Sequence, residues 1–252
     1  DSVAEQTVSV DTLDDDVAGF TIEETDGSTE VDESGSTDTF TVVLDAQPTS
    51  DVVLTITSES TTEASVNPSS VTFTSENWDT PQTVTVTGVD ENVVDGDQTT
   101  NITIAILDTA SDDNFDDLAD QTVSVDTLDD DVAGFTIEET DAATEVDEGG
   151  STDTFTVVLD AEPTSDVVLT ITSDDTGEAT VPASVTFTAA NWDTPQTVTV
   201  TGVDDDLVDG TITSTITIAV DDANSDDDFD AVTDQTLSVD TTDDDVAGFT
   251  IE

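Results

Sequence analysis

The sequence predicts an all-β chain of tandem immunoglobulin-like antiparallel β-sandwich domains, about seven strands each. Three observations predict it. A block of some 115 residues occurs twice, apolar and polar residues alternate at period two inside each block, and turn-forming pairs separate the alternating runs. No stretch sustains a helical period.

The repeat is read from long near-identities. DTLDDDVAGFTIE stands at Asp11 to Glu23 and Asp126 to Glu138, and DTTDDDVAGFTIE at Asp240 to Glu252. Between these markers FTVVLDA recurs at Phe40 and Phe155, PTSDVVLTITS at Pro48 and Pro163, and NWDTPQTVTVTGVD at Asn77 and Asn191. One residue is deleted, between Val66 and Val71 in the first copy and Val181 and Val185 in the second, which suits a loop. Residues 1–16 read as the C-terminal end of a preceding repeat, 17–131 and 132–245 as two whole repeats, and 246–252 as the start of a following one. Each whole repeat is large enough for its own core, unlike the shorter units of solenoids.

Within the first repeat the strands follow in order. Residues 18–24 hold FTIEE and close on Asp26-Gly27, and 38–45 hold FTVVLDA and close on Gln47-Pro48. Residues 51–58 alternate through Leu54 and Ile56. Residues 63–74 make two pieces broken at Asn67-Pro68, with Val71 and Phe73 in the second. Residues 82–89 follow Thr80-Pro81 with Val84 and Val86; 100–107 follow Asp95-Gly96 with Ile102, Ile104 and Ile106; 121–126 carry Val123 and Val125. Thr is the common outward partner, as a half-buried strand favours.

The composition excludes whole classes of function. Of 252 residues 63 are Asp or Glu, none is Lys, Arg, His, Cys, Met or Tyr, and the formal charge is −63. Nucleic-acid and anionic-membrane binding both need basic side chains. Disulfides, thiolate or imidazole metal sites, nucleophile–base triads and Lys-dependent isopeptide cross-links are equally ruled out. High net charge with 34% hydrophobic residues is also the composition of disordered chains, and only the order of the residues argues for a fold. No apolar run approaches a membrane span and no signal peptide opens the chain, so a soluble chain is expected, with any export signal outside this stretch. Paired carboxylates could hydrolyse a glycosidic bond. Yet every acidic cluster is duplicated and aromatics make up only 4%, so no enzyme is expected.

What remains is oxygen chemistry. Acids concentrate at predicted strand ends, among them Asp32-Glu33, Glu59, Asp90-Glu91 with Asp95, and Asp129 to Asp131, with counterparts at Asp147-Glu148, Asp174-Asp175, Asp204 to Asp206 with Asp209, and Asp243 to Asp245. Two carboxylates about 4 Å apart repel by about 1 kcal/mol in water and up to about 4 near a protein surface. Solution cations alone can relieve this. In a seven-strand sandwich Glu59, Asp90, Asp95 and Asp129 to Asp131 converge at one end, facing Asp226 to Asp228 of the next repeat. Ca²⁺, which accepts 6–8 oxygens in irregular geometry, suits such a cage better than Mg²⁺. A solvated acidic rim that keeps the array soluble is the competing account, and Asp112 and Asp113 are read that way. Calcium at each linker would turn a flexible string into a rod.

The repeat also resembles the Calx-beta domain of large bacterial extracellular and cell-surface proteins. The residues that carry the resemblance are FTIEE at Phe20, VDESG at Val31, VTFTSENWDTPQTVTVTGVDENVVDGD at Val71 and VSVDTLDDD at Val123. It implies a calcium-binding sandwich with ligands Glu23, Glu59, Asp90, Asp95, Asp129, Asp130 and Asp131 in the first repeat. In the second they are Glu138, Asp174 or Asp175, Asp204, Asp209, Asp243, Asp244 and Asp245. The family's DGTA-type turn is absent: TSESTTEASV stands at Thr57 and TSDDTGEATV at Thr172.

Trp78 and Trp192 could stack on sugars, but the apolar strands beside them favour packing. Phe115 and Phe229 could plug a neighbouring repeat or anchor their own loop. The function expected is a calcium-stabilised shaft of an extracellular filament or adhesin, whose partners are neighbouring repeats and other copies in a filament. A carbohydrate- or protein-binding adhesion module using the Trp turns is the alternative. A calcium-responsive regulator fits a tandem array of near-copies less well.

Overall fold

The computed structural model describes residues 3–13, 15–141 and 143–250. It forms two units by its internal contacts. Unit 1 holds the residues up to Asp90 together with Asp97–Leu128; unit 2 holds Glu91–Gly96 and the residues from Asp129 onward.

Unit 1 is a sandwich of nine strands: β1 Phe20–Glu24, β2 Thr29–Asp32, β3 Thr37–Leu44, β4 Val52–Ser58, β5 Ala64–Asn67, β6 Ser70–Phe73, β7 Gln82–Gly88, β8 Gln98–Ile106 and β9 Gln121–Leu128. One sheet has the order β1-β3-β7-β5 and the other β2-β9-β8-β4-β6. Unit 2 repeats the plan with β10 Phe135–Glu139, β11 Thr144–Asp147, β12 Thr152–Leu159, β13 Val167–Ser173, β14 Ala179–Thr180, β15 Ser184–Phe187, β16 Gln196–Gly202, β17 Ile212–Val220 and β18 Gln235–Thr242. Its sheets run β10-β12-β16-β14 and β11-β18-β17-β13-β15.

The period-two pattern places the core. Phe40, Val42 and Leu44 of β3, Leu54 and Ile56 of β4, and Ile102 and Ile104 of β8 all point inward and are buried. Their equivalents do the same in unit 2, where Phe155, Phe187 and Ile216 are fully covered. Trp78 and Trp192 pack against the two cores, and each turn is tied down by a backbone bond, from the Leu44 N–H to the Trp78 carbonyl and from Leu159 to Trp192, both 3.1 Å.

One strand escapes the sequence pattern. TEVD carries a single apolar residue, too little alternation to register, yet β2 and β11 form by pairing parallel to β9 and β18. Among the named strands these are the parallel pairs, and the others are antiparallel. The residues Val3–Leu13, whose sequence copies β9, and Val246–Thr250 carry no strand; Val8 and Val10 stand exposed where Val123 and Val125 are buried.

The loop before the last strand corrects one reading. Asp112, expected in a solvated rim, is 3% exposed. One carboxylate oxygen accepts from the Thr49 N–H and hydroxyl (both 2.7 Å) and the Ser50 N–H (2.9 Å), while the other takes the Asn114 N–H and amide. Those donors, the Thr49 hydroxyl foremost, hold its carboxyl far below the usual range. Asp226 clips the same loop in unit 2 through Thr164, Ser165 and Asp228. Each clip seats an aromatic anchor, Phe115 or Phe229, in the core of its own unit.

Gly202 ends β16 where the strand runs against the β11 turn. A Cβ there would collide with the Asp147 carbonyl oxygen, and the Gly202 N–H donates to the Ser151 carbonyl at 3.0 Å. Gly202→Ala is expected to lower the stability of unit 2 by roughly 2–3 kcal/mol, seen as a lower urea midpoint for that unit's unfolding.

Candidate metal centre

The acidic site of unit 2 is built at the ends of four segments. β11 pairs with β18 up to Asp147 opposite Thr242, and the Glu148 N–H extends the ladder by donating to the Thr242 carbonyl at 3.1 Å. Thr144 and Val146 point inward, and the same alternation turns Glu148 inward, leaving it 1% exposed. The turn that follows uses Gly150 at φ 89, a conformation glycine adopts freely, and closes with the Gly150 N–H on the Asp147 carbonyl.

Glu178 precedes β14 and is buried, its carbonyl held by the Val203 N–H at 2.8 Å. Asp205 and Asp209 lie in the loop after β16, and Asp245 follows β18. Asp243 is the staple between these last two segments: one of its oxygens accepts from the Gly210 N–H at 2.8 Å and the other from the Asp245 N–H at 2.7 Å. Those two N–H groups keep its carboxyl below the usual range. Asp129 repeats the device with Gly96 and Asp131, also within unit 2.

Carboxylate oxygens from Glu148, Asp205 and Asp245 lie within 4.8 Å of one another, and so do those from Glu178, Asp205 and Asp209. Asp205 belongs to both groups. Both oxygens of Glu148, one of Glu178 and one of Asp245 are buried without a hydrogen bond. No cationic side chain exists anywhere in the sequence to neutralise them.

The electrostatic consequence is large. Burial, reinforced by Asp243, Asp205, Asp209 and Glu178, pushes the Glu148 carboxyl up to about 7. Glu178 is raised by burial and then by Asp209, Asp175, Asp205 and Asp243, and Asp245 by burial and then by Asp206, Asp243, Asp244 and Asp204. Such an arrangement can hold a proton or a cation. An all-oxygen donor set drawn from a turn, a strand approach, a loop and a strand exit fits the irregular shell of a hard divalent cation.

Of the residues singled out in the sequence, Asp209 and Asp245 enter the cluster. Asp243 staples it, and Asp175, Asp204 and Asp244 border it through their charges. Glu138 sits exposed in β10 opposite Thr156, and Asp174 accepts from the Thr215 N–H at 2.7 Å; neither joins a carboxylate group. In unit 1, Glu23 lies exposed in β1 opposite Thr41, Glu59 accepts from the Asn101 amide at 3.1 Å, and Asp90 is exposed after β7. Asp95, Asp129, Asp130 and Asp131 belong to unit 2.

Glu148, Glu178 and Asp205 were not singled out as ligands. The signal for Glu148 was present: in TEVDE the alternation makes the final Glu the next inward position after Val146. The repeat register gives Glu33, Glu63 and Glu91 as their sequence equivalents.

No family model matches the chain, and no curated protein matches it. Solved structures that resemble it include the calcium binding domain CBD12 of CALX1.1, at 13% identity and TM-score 0.31, covering 79% of this chain and 80% of that one. Domains 5-6 of the S-layer protein SbsC give 22% identity and TM-score 0.29 over 90% and 99% of the two chains. Domains 4 and 5 of SbsC give 15% and 0.32 over 90% and 100%.

Proposed function

We propose that this chain is a non-catalytic structural array whose repeats are stabilised by calcium, forming the shaft of an extracellular filament or cell-surface adhesin. One observation carries the reading. Glu148 is buried with both oxygens lacking a hydrogen bond, inside a cluster of five carboxylates, in a chain with no basic side chain. A lone buried carboxylate is costly, and structural proteins keep such a group where a cation completes it. The two oxygen groups sharing Asp205 offer room for two adjacent ions. Duplication of the acids in near-identical repeats favours scaffolding over sensing. Absence of thiols and of Lys or Arg suits exposure to oxidants and proteases outside the cell. The Trp turns support ligand capture less well, because both indoles are engaged with the cores.

Calorimetric titration of the chelator-treated chain with Ca²⁺ tests this. Asp205→Asn removes the charge common to both groups and is expected to weaken binding at the unit 2 site by roughly ten- to a hundredfold. Glu138→Gln should leave it unchanged. No calcium-dependent heat from the unaltered chain would refute the reading.

A further inference from the structure

Three Asp-Gly pairs occur in the chain: Asp26-Gly27, Asp95-Gly96 and Asp209-Gly210. A glycine has no side chain to shield its nitrogen, so that nitrogen can attack the Cγ of the preceding aspartate. The amide proton and the hydroxyl of the protonated carboxyl leave together as water, and a five-membered succinimide closes. Water then adds to one of the two ring carbonyls. Addition at Cγ restores aspartate; addition at the main-chain carbonyl leaves the chain running through Cβ, as isoaspartate. One water is lost and one regained, and nothing is oxidised or reduced.

By sequence the three pairs are equivalent, and the structure separates them. The Gly96 N–H donates to an Asp129 carboxylate oxygen and the Gly210 N–H to one of Asp243, each at 2.8 Å. Bonds to an anion are the stronger kind. They aim the nitrogen at the wrong carboxylate, and the neighbouring negative charge opposes loss of its proton. The Gly27 N–H instead meets the neutral Glu24 carbonyl at a long 3.4 Å. Thr25 to Ser28 are all exposed, and beyond its chain neighbours no atom lies within 4 Å of the point where a Gly27 Cβ would stand. The Asp26 carboxylate accepts no hydrogen bond among the described residues. Asp26 itself sits at φ 47, in the left-handed region that aspartate enters more readily than most residues. The turn is tied at its flanks, by the Thr25 N–H on the Thr39 carbonyl at 3.1 Å and the Thr29 hydroxyl on the Glu24 carboxylate at 2.9 Å. Between those ties the Asp26 carboxyl is free to rotate onto the Gly27 nitrogen.

We infer that Asp26-Gly27 is a site of spontaneous isoaspartate formation, and that the Asp129 and Asp243 staples spare the other two pairs. The turn carries the chain from β1 in one sheet to β2 in the other. Each event therefore lengthens that crossing by one methylene, just ahead of the β2–β9 pairing. The second repeat has Asp141-Ala142 at this place, and the methyl of an alanine obstructs the attack. The two repeats thus age unequally. None of this rests on calcium.

The test holds the folded chain for several weeks near neutral pH in chelator, so that no bound ion contributes to the protection, beside a second sample in concentrated urea. Digestion with an aspartate-specific endoproteinase, which skips isoaspartate, and electron-transfer mass spectrometry, which separates the isomers, locate each event. Circular dichroism checks that the first sample is still folded. In urea all three pairs are expected to isomerise at similar rates. In the folded chain isoaspartate at Asp26 should exceed that at Asp95 or Asp209 by at least about tenfold, as expected where a charge-assisted hydrogen bond must first break. None should form at Asp141, and Gly27→Ala should abolish it at Asp26. Absence of isoaspartate at Asp26 in the folded chain while the unfolded chain forms it, or equal accumulation at Asp95 and Asp209, overturns the inference.

Discussion

Withdrawal of divalent cations near pH 7.5 is expected to lower the melting temperature of unit 2 by roughly 10–20 °C, relative to calcium at about a hundred times its dissociation constant. Ligand linkage at that excess contributes about 2.7 kcal/mol, and a domain of this size shifts by roughly 4–8 °C per kcal/mol. The pH profile carries a sharper signature. Glu148, raised chiefly by burial to about 7 from its ordinary 4.5, holds in the folded state a proton that the unfolded chain has released. In chelator, folding is therefore favoured as pH falls from above 7 toward 4.5, and stability is lost as pH rises through that window. Calcium requires the ionised cluster, so its stabilising effect is largest at neutral pH and shrinks on acidification. Melting curves with and without calcium should converge as pH falls. Parallel profiles would remove Glu148 from the ion's shell.

Phe229→Ala is expected to cost about 3–5 kcal/mol, a large part of the roughly 5–15 kcal/mol that holds a domain together. The ring is fully buried although it is carried by a loop, whose short 3₁₀ turn, Asp227–Phe229, delivers it to the core. Asp226→Ala should cost a further few kcal/mol on its own, because the Thr164 hydroxyl and the Ser165 and Asp228 N–H groups lose their acceptor. Burial raises the Asp226 carboxyl, but those three donors together bring it below its usual value. Its contribution is therefore present at neutral pH and lost only as pH falls through that lowered value. Removing clip and anchor together should cost less than the two losses added, since the clip exists to seat the anchor. Urea titration of the three variants reads both points, and a loss below 1 kcal/mol for Phe229→Ala would mean the loop is not pinned through its ring.

The strands were legible where side chains alternate strongly, as in FTVVL or ITIAI, because burial of one face is a local property of the sequence. β2 and β11 were not, since their existence depends on the neighbouring β9 and β18 and on only one apolar residue each. The same division runs through the acidic site. Asp209 and Asp245 stand in loops whose composition announces them. Glu148 and Glu178 stand at strand ends and are made special by which way the backbone turns them. Glu138 was implied by the Calx-beta resemblance alone, yet its position in β10 faces solvent. The Asp112 and Asp226 clips were hidden for the opposite reason: in a chain where one residue in four is acidic, a carboxylate serving backbone donors looks like every other.

The parallel pairing of β11 with β18 has a consequence for a chain under tension. β11 lies near the start of unit 2 and β18 at its end, and they run in the same direction side by side. Pulling the two ends apart drags β18 forward and β11 back, so the hydrogen bonds between Thr144 and Asp147 on one side and Val239 and Thr242 on the other are sheared together and cannot unzip singly. Antiparallel edges loaded at a turn peel one bond at a time, whereas this pair, once tension has passed β10, loads its bonds together.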